Sequence, residues 1–315
     1  MSSPLSDDGK DDSIVKSPTL RGKEASINSD LYPFTLWAGR GLSDDNMEKI
    51  TAGSLTRYLF AHKAWHTFHI APYPYHTKTR VKLMLKESGQ VDATLPQRPP
   101  KQPILPSDLL HLVNAFQGRG PEADAVTNLA IVAFWGMAWM AKLTYHQATG
   151  PVQACTKPTR RDVLPHPDRA DLLLRGAKTA KPGEVQKLTL RPVHGTFFPI
   201  QALSHRLQDA TSASDSLFGF NTNAGRVNLT KQQVNQILKA VWRTTGRPHL
   251  TGHSFWVGGA LIRWALGISI DDIKTLGRWT SDCYQRYLRH IPPEDLKASL
   301  TALGIPPPSF PPSLL

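Results

Sequence analysis

The chain has 315 residues, enough for one large or two modest domains with a real core. Lys plus Arg number 37 against 25 Asp plus Glu, a net charge of +12 with a pI near 9.8, which suits a polyanionic partner and favours DNA or RNA over a membrane. Two cysteines, Cys155 and Cys283, are too few for a disulfide framework or a thiolate metal site and point to a reducing compartment, nuclear or cytoplasmic; the most apolar run, Leu129 to Ala141, falls short of the ~20 residues that span a bilayer, and the polar, acidic start MSSPLSDDGKDDS is unlike a secretion signal.

Residues 1–30 are rich in Ser, Asp and Lys without an apolar period, the composition of a disordered tail. Aromatics in LYPFTLWAGRGLSDDNMEKI then give way to Ser43-Asp44-Asp45, a helix start. Leu55 to Ile70 has helical spacing, with Leu55, Leu59 and Phe60 toward one side and Arg57, His62 and Lys63 available to phosphate. His62, His66 and His69 include an i, i+4 pair, but no carboxylate or cysteine accompanies them, and a closed metal site needs about four ligands, so no metal is expected. Thr94 to Asp108 is too rich in proline for a helix interior and reads as an interdomain linker, carrying Arg98 and Lys101.

Ser107 and Asp108 cap a helix through Phe116, and Glu122 to Leu143 is expected as one strongly apolar helix. Leu172 to Arg175 and Gln186 to Arg191 are strand-like, separated by a turn at Lys181-Pro182-Gly183-Glu184. A helix from about Pro199 to Ala210 follows, and another is opened by Thr230 with Gln233 in capping-box register. The latter puts Val234, Ile237, Leu238 and Val241 on one face and leaves Lys239, Arg243 and Arg247 to meet phosphate. Last comes Thr251 to Arg289: a histidine on the first turn of an apolar helix, an acidic-capped helix, Gly-Arg-Trp, and two tyrosines on a basic helix.

That closing order resembles the C-terminal box of the tyrosine recombinases, the phage-integrase superfamily that cuts and rejoins DNA, and in particular the recombinase-like proteins of fungal mobile elements. The family's His-Ser-x-Arg is met by His253, Ser254, Phe255 and Trp256, its Leu-Gly-His/Arg-Trp by Leu276, Gly277, Arg278 and Trp279, and its Tyr-Ile-Arg by Tyr287, Leu288 and Arg289. Within AFWGMAWMAKLT, Trp139 stands where the family has its other active-site arginine and Lys142 where it has a glutamate. The hairpin lysine of the family matches Lys178, followed by Thr179. The resemblance implies a mostly α fold with a small antiparallel β-sheet (α+β): a catalytic-type domain over 107–303, a truncated helical core-binding (SAM-like) remnant over 31–93, a linker over 94–106 and a tail over 304–315. It further implies DNA-binding roles for Arg57, Lys63, Lys239, Arg243, Arg247, Arg278 and Arg289, double-stranded DNA as partner, and a tetramer on DNA in which SLTALGIPPPSFPPSLL is a candidate contact. No cofactor or metal is implied.

In such an enzyme Tyr287 would attack the scissile phosphorus, His253 would assist proton transfer, Trp279 would donate its indole N–H or pack the site, and Lys178 would protonate the leaving oxygen. Tyr284, three residues before Tyr287, stays open as the alternative nucleophile. The pentacovalent transition state gains negative charge, which two arginines hold bidentately. Here both positions, Trp139 and Trp256, are neutral indoles with one donor each. Losing two such donors would cost on the order of 10⁴–10⁶ in rate. Lys142 is a candidate for partial compensation as a point charge, while Arg263 lies about two turns beyond Trp256. Arginine to tryptophan and glutamate to lysine each need one C-to-T transition, the mark of a decayed mobile-element copy. The expectation is therefore a DNA-binding recombinase relative with impaired cleavage; the rival from another class is a non-catalytic DNA-binding or protein-interaction module that keeps only the fold. A type IB topoisomerase is disfavoured by the same missing arginines and the short chain.

Overall fold

The computed structural model describes residues 50–73, 75, 78–96, 100–177, 180–181, 183–193 and 197–306. The expected acidic tail, the Ser43-Asp44-Asp45 helix start, Arg98, Lys178 with Thr179, Pro182 and the tail beyond 306 lie outside them. The chain divides into two compact units between Pro99 and Pro100. No helix among the described residues is long and apolar enough to cross a membrane.

The first unit is a pair of helices, α1 (Ala52–Phe68) and α2 (Lys78–Thr94). Thr51 caps α1 by accepting from Ser54 N (3.3 Å), and the carboxylate of Asp92 near the end of α2 accepts from Ala52 N at 2.6 Å, satisfying another of the unpaired first-turn amides. Of the three apolar residues expected on one side of α1, Leu55 is buried while Phe60 is largely exposed.

The second unit is mostly helical with two small antiparallel sheets: α3 (Pro106–Phe116), α4 (Pro121–Trp135), α5 (Met140–Leu143), β1 (Val163–Pro165), β2 (Ala170–Leu174), β3 (Gln186–Leu190), α6 (Pro199–Asp209), β4 (Gly219–Thr222), β5 (Gly225–Asn228), α7 (Lys231–Thr244), α8 (Gly252–Ala265), α9 (Ile270–Gly277) and α10 (Pro293–Ala302). Helix α4 is apolar all round and is accordingly the axis of the core, buried from Leu129 through Trp135. Helices α3, α6 and α8 pack on it. The approach of α8 is close because Gly259 has no Cβ; one added there would run into the Phe134 carbonyl. Gly258 plays the same part toward the Ile104 carbonyl, so the extended segment before α3 lies directly on α8, tied by Ile104 N to Ser254 O at 3.0 Å. The sheet β1-β2-β3 is antiparallel with Leu172 opposite both Val163 and Leu188, and it turns Leu172, Leu174, Leu188 and Leu190 inward.

The expected single helix from Glu122 to Leu143 is broken. Helix α4 stops at Trp135, Met137 takes a left-handed conformation (φ 46°), and Trp139 becomes the N-cap of the one-turn α5. The break leaves the carbonyls of residues 135 to 137 without helical partners. Two arginines from other helices supply them: Arg263 donates to Trp135 O, and Arg278 to Met137 O (2.6 Å) and Gly136 O (3.4 Å). Guanidinium at a helix C-terminus also meets the negative end of its dipole. The expected tyrosine-bearing basic helix is likewise corrected to a short 3-10 turn, Asp282–Arg286, with Tyr284 inside it and Tyr287 just past its end.

Candidate functional site

The site is assembled where α8, α9, the 3-10 turn and the 136–143 break meet. Helix α8 starts at Gly252 because Ser254 Oγ accepts from Thr251 N at 3.0 Å, which sets His253 in the first turn and Trp256 one turn on. Ser269 caps α9, and α9 ends on Arg278 in the left-handed conformation (φ 58°), with Trp279 N returning to Lys274 O at 3.0 Å. This turn swings Trp279 back across Gly277, where an added Cβ would collide with the indole.

Five of the residues singled out from the sequence come together. Trp256 packs at ring-centroid distances of 4.4 Å to Trp279, 4.7 Å to Tyr287, 5.3 Å to His253 and 6.4 Å to Trp139. The Tyr287 ring lies 5.7 Å from His253 and stacks at 6.2 Å on Trp279. Tyr284 instead lies 6.2 Å from Trp279 and 5.3 Å from the Lys274 ammonium. Of the two tyrosines, Tyr287 is the one beside the histidine. Trp256 is almost wholly buried at 5% exposed, whereas Trp139 is 42% exposed.

A cavity of about 170 Å³ remains among Trp139, Trp256, Trp279, Tyr287, Lys142 and Cys283. The Lys142 ammonium donates to the Gly176 carbonyl at the root of the β2–β3 hairpin. Beside this cavity, with Trp139 common to both, opens a groove of about 560 Å³ whose lining includes Lys101, Lys231, Lys239, His249 and His253. A neighbouring hollow of about 600 Å³, which includes His146, shares Lys231, Asn235 and Lys239 with it. Those three residues recur every fourth position along α7 and so form one ridge. Among the described residues no Asp or Glu lines either. The charges sense one another: burial, then Lys101, holds His253 below the usual histidine range, and burial, then Lys142 and Lys231, depresses the Lys157 ammonium, which donates to Ala141 O at 2.8 Å.

The residues expected to meet phosphate divide by side-chain environment. Arg57 and Lys63 are exposed on α1, and Lys239 and Arg243 are exposed on α7. Arg289 donates to Lys101 O at 2.7 Å. Arg247 is turned inward against Asp108 and donates to Pro103 O at 2.9 Å, and Arg278 is committed to the 135–137 break. Burial lowers the Arg278 and Arg263 guanidiniums to about 10, so both remain charged at neutral pH. Lys231, Asn235 and His249 were not anticipated from the sequence; the i, i+4, i+8 polar ridge on α7 was the legible signal for the first two. Among the described residues no group of three or more His, Cys, Asp or Glu is arranged to hold a metal ion.

The second unit is thus a mostly α domain with small antiparallel sheets, carrying an aromatic cluster at the edge of a basic groove. Neither a family model nor a curated protein matches this chain. Solved structures similar to it include the Tn1549 transposon integrase in complex with transposon right end DNA (12% identity over 93% of this chain and 96% of that one, TM-score 0.46). XerH site-specific recombinase bound to difH substrate is similar at 13% identity over 88% and 79% (TM-score 0.48), and a lambda integrase dimer bound to a COC′ core site at 14% over 88% and 90% (TM-score 0.48).

Proposed function

We propose that the chain is a DNA-binding protein of the tyrosine recombinase kind whose strand cleavage is impaired. The observation that carries this reading is the convergence of His253, Trp279 and Tyr287 around Trp256, with Trp139 at the rim. The motif resemblance assigned Tyr287 the attack on phosphorus and His253 its proton traffic, and Tyr287 Oη would be the nucleophile in preference to that of Tyr284. His253 held below the usual range is neutral at physiological pH, the form that can accept a proton. Among the described residues the cluster lacks positive charge aimed at a phosphate: rings occupy both positions where guanidinium would grip it, and the two nearby arginines, Arg263 and Arg278, are tied into the fold. Lys178 would be the general acid, and Lys142 a point charge beside the vacant role. Arg57, Lys63, Lys239, Arg243 and Arg289 would hold duplex phosphates; Arg247 and Arg278, expected among them from the sequence, would instead stabilise the domain.

On this reading residues 31–93 would be a remnant of a clamp domain, the gene a decayed copy of a mobile element, and the protein would act inside the cell, in nucleus or cytoplasm, as a tetramer where it still assembles. Close ring packing, with only about 170 Å³ left beside it, also favours a non-catalytic DNA-binding module as the second reading. A nicked duplex suicide substrate separates the two. Impaired cleavage gives a trace of covalent adduct, about 10⁴–10⁶-fold below an arginine-bearing enzyme and lost in Tyr287→Phe. Trp139→Arg with Trp256→Arg raises it. If that double variant folds and binds duplex yet forms no adduct, the assignment of His253 and Tyr287 fails.

A further inference from the structure

Trp139, where the resemblance expects a phosphate-gripping arginine, is exposed beside a basic groove that none of the described Asp or Glu residues lines. We propose that this groove takes a single strand of DNA, with an unpaired base stacked on Trp139 and the adjoining phosphates held by Lys101, Lys231 and Lys239. The inference rests on the DNA-binding reading and narrows it from duplex to unpaired nucleotides.

Three observations carry it. Trp139 is 42% exposed while Trp256 beside it is buried; it meets His253 and Trp256 at 6.1 and 6.4 Å with ring planes at 68° and 81°, so neither of those rings is stacked flat on its indole. The groove it borders is lined by three lysines and two histidines and, among the described residues, no carboxylate, and it continues along the Lys231, Asn235, Lys239 ridge into the next hollow. Cations crowd its margin: burial first, then Lys142 and Lys231, disfavours the charged form of Lys157, so an anion in the groove meets an excess of positive charge. An indole beside a track of ammonium groups is the arrangement by which single strands are held without sequence preference: the bases stack and the phosphates pair with the cations. A duplex keeps its bases stacked on one another and offers Trp139 nothing but its backbone.

The experiment compares the full chain on oligo(dT), on an equal-length oligonucleotide of abasic sugars with the same phosphates, and on duplex. Expected is a preference for oligo(dT) over the abasic strand of about 5- to 150-fold, the value of one stacked base. Quenching of tryptophan fluorescence should accompany it. Trp139→Ala should erase that preference and Trp139→Phe should keep most of it; the abasic comparison on the unmodified protein needs no variant to fold. Equal affinity for oligo(dT) and the abasic strand overturns the proposal. If the duplex is then still bound with a steep salt dependence, the DNA-binding reading survives alone; if neither strand nor duplex shows salt-dependent binding, that reading falls as well.

Discussion

At the scale of single residues, His253 links stability to pH. Burial and Lys101 depress its pKa, so the folded protein binds fewer protons here than the unfolded chain once the pH falls below the ordinary histidine value of about 6.5. Stability contributed by the neutral ring is full above that value and declines as the pH drops through it toward the lower folded value. Urea midpoints measured between pH 7.5 and 5 should fall, and His253→Gln should flatten the decline; an unchanged slope in the variant would remove His253 from the account. Arg278 is a second residue with a legible energetic role. Its left-handed backbone is unfavourable for a side chain by about 1–2 kcal/mol, while its guanidinium closes two carbonyls of the 135–137 break. Arg278→Ala should lower stability by about 2–3 kcal/mol, whereas Arg278→Gly should lose about 1 kcal/mol less by relieving the backbone. Chemical denaturation of the pair checks the order.

At the scale of elements, α8 depends on glycines that let backbones touch. Gly258→Ala would drive a methyl into the Ile104 carbonyl, and overpacking of that sort costs about 1–3 kcal/mol. Thermal unfolding would show it, with Ala260, which has its Cβ in the core, as the internal reference for helix propensity. Much of this unit was legible beforehand. The β2–β3 pairing followed from two strand-like runs around a glycine turn, and α7 from Thr230 and Gln233, whose amide Thr230 Oγ1 accepts at 3.2 Å. The break after Trp135 was not legible, because an unbroken apolar run hides where a helix stops when tertiary partners supply the carbonyls. Those partners, Arg263 and Arg278, lie more than a hundred residues away in sequence and look like surface cations until α8 and α9 are in place. The Tyr284–Tyr287 pair misled in a different way: a spacing of three suggests a shared helical face, yet Tyr287 falls just past the end of the 3-10 turn, with its ring stacked on Trp279 while that of Tyr284 is tilted against it.

At the scale of the whole molecule, a net charge of +12 says only that an anion is welcome, while the proposed groove names a place for it. If Lys101, Lys231 and Lys239 each neutralise one phosphate of a single strand, log Kobs against log salt should have a slope of at least about −2, at roughly −0.7 per contact. Lys231→Gln and Lys239→Gln should each make it shallower by about one contact's share, and a slope indifferent to both would move the DNA elsewhere on the surface. The inward pair at the end of α4 has an evolutionary corollary. On the proposed recombinase reading, selection for cleavage could act at codons 139 and 256, but 263 and 278 cannot be redeployed without undoing the helix end they hold. Suppressors should accordingly cluster at the two tryptophans, and a library diversified only at the inner arginines should return unfolded protein in place of revived enzyme.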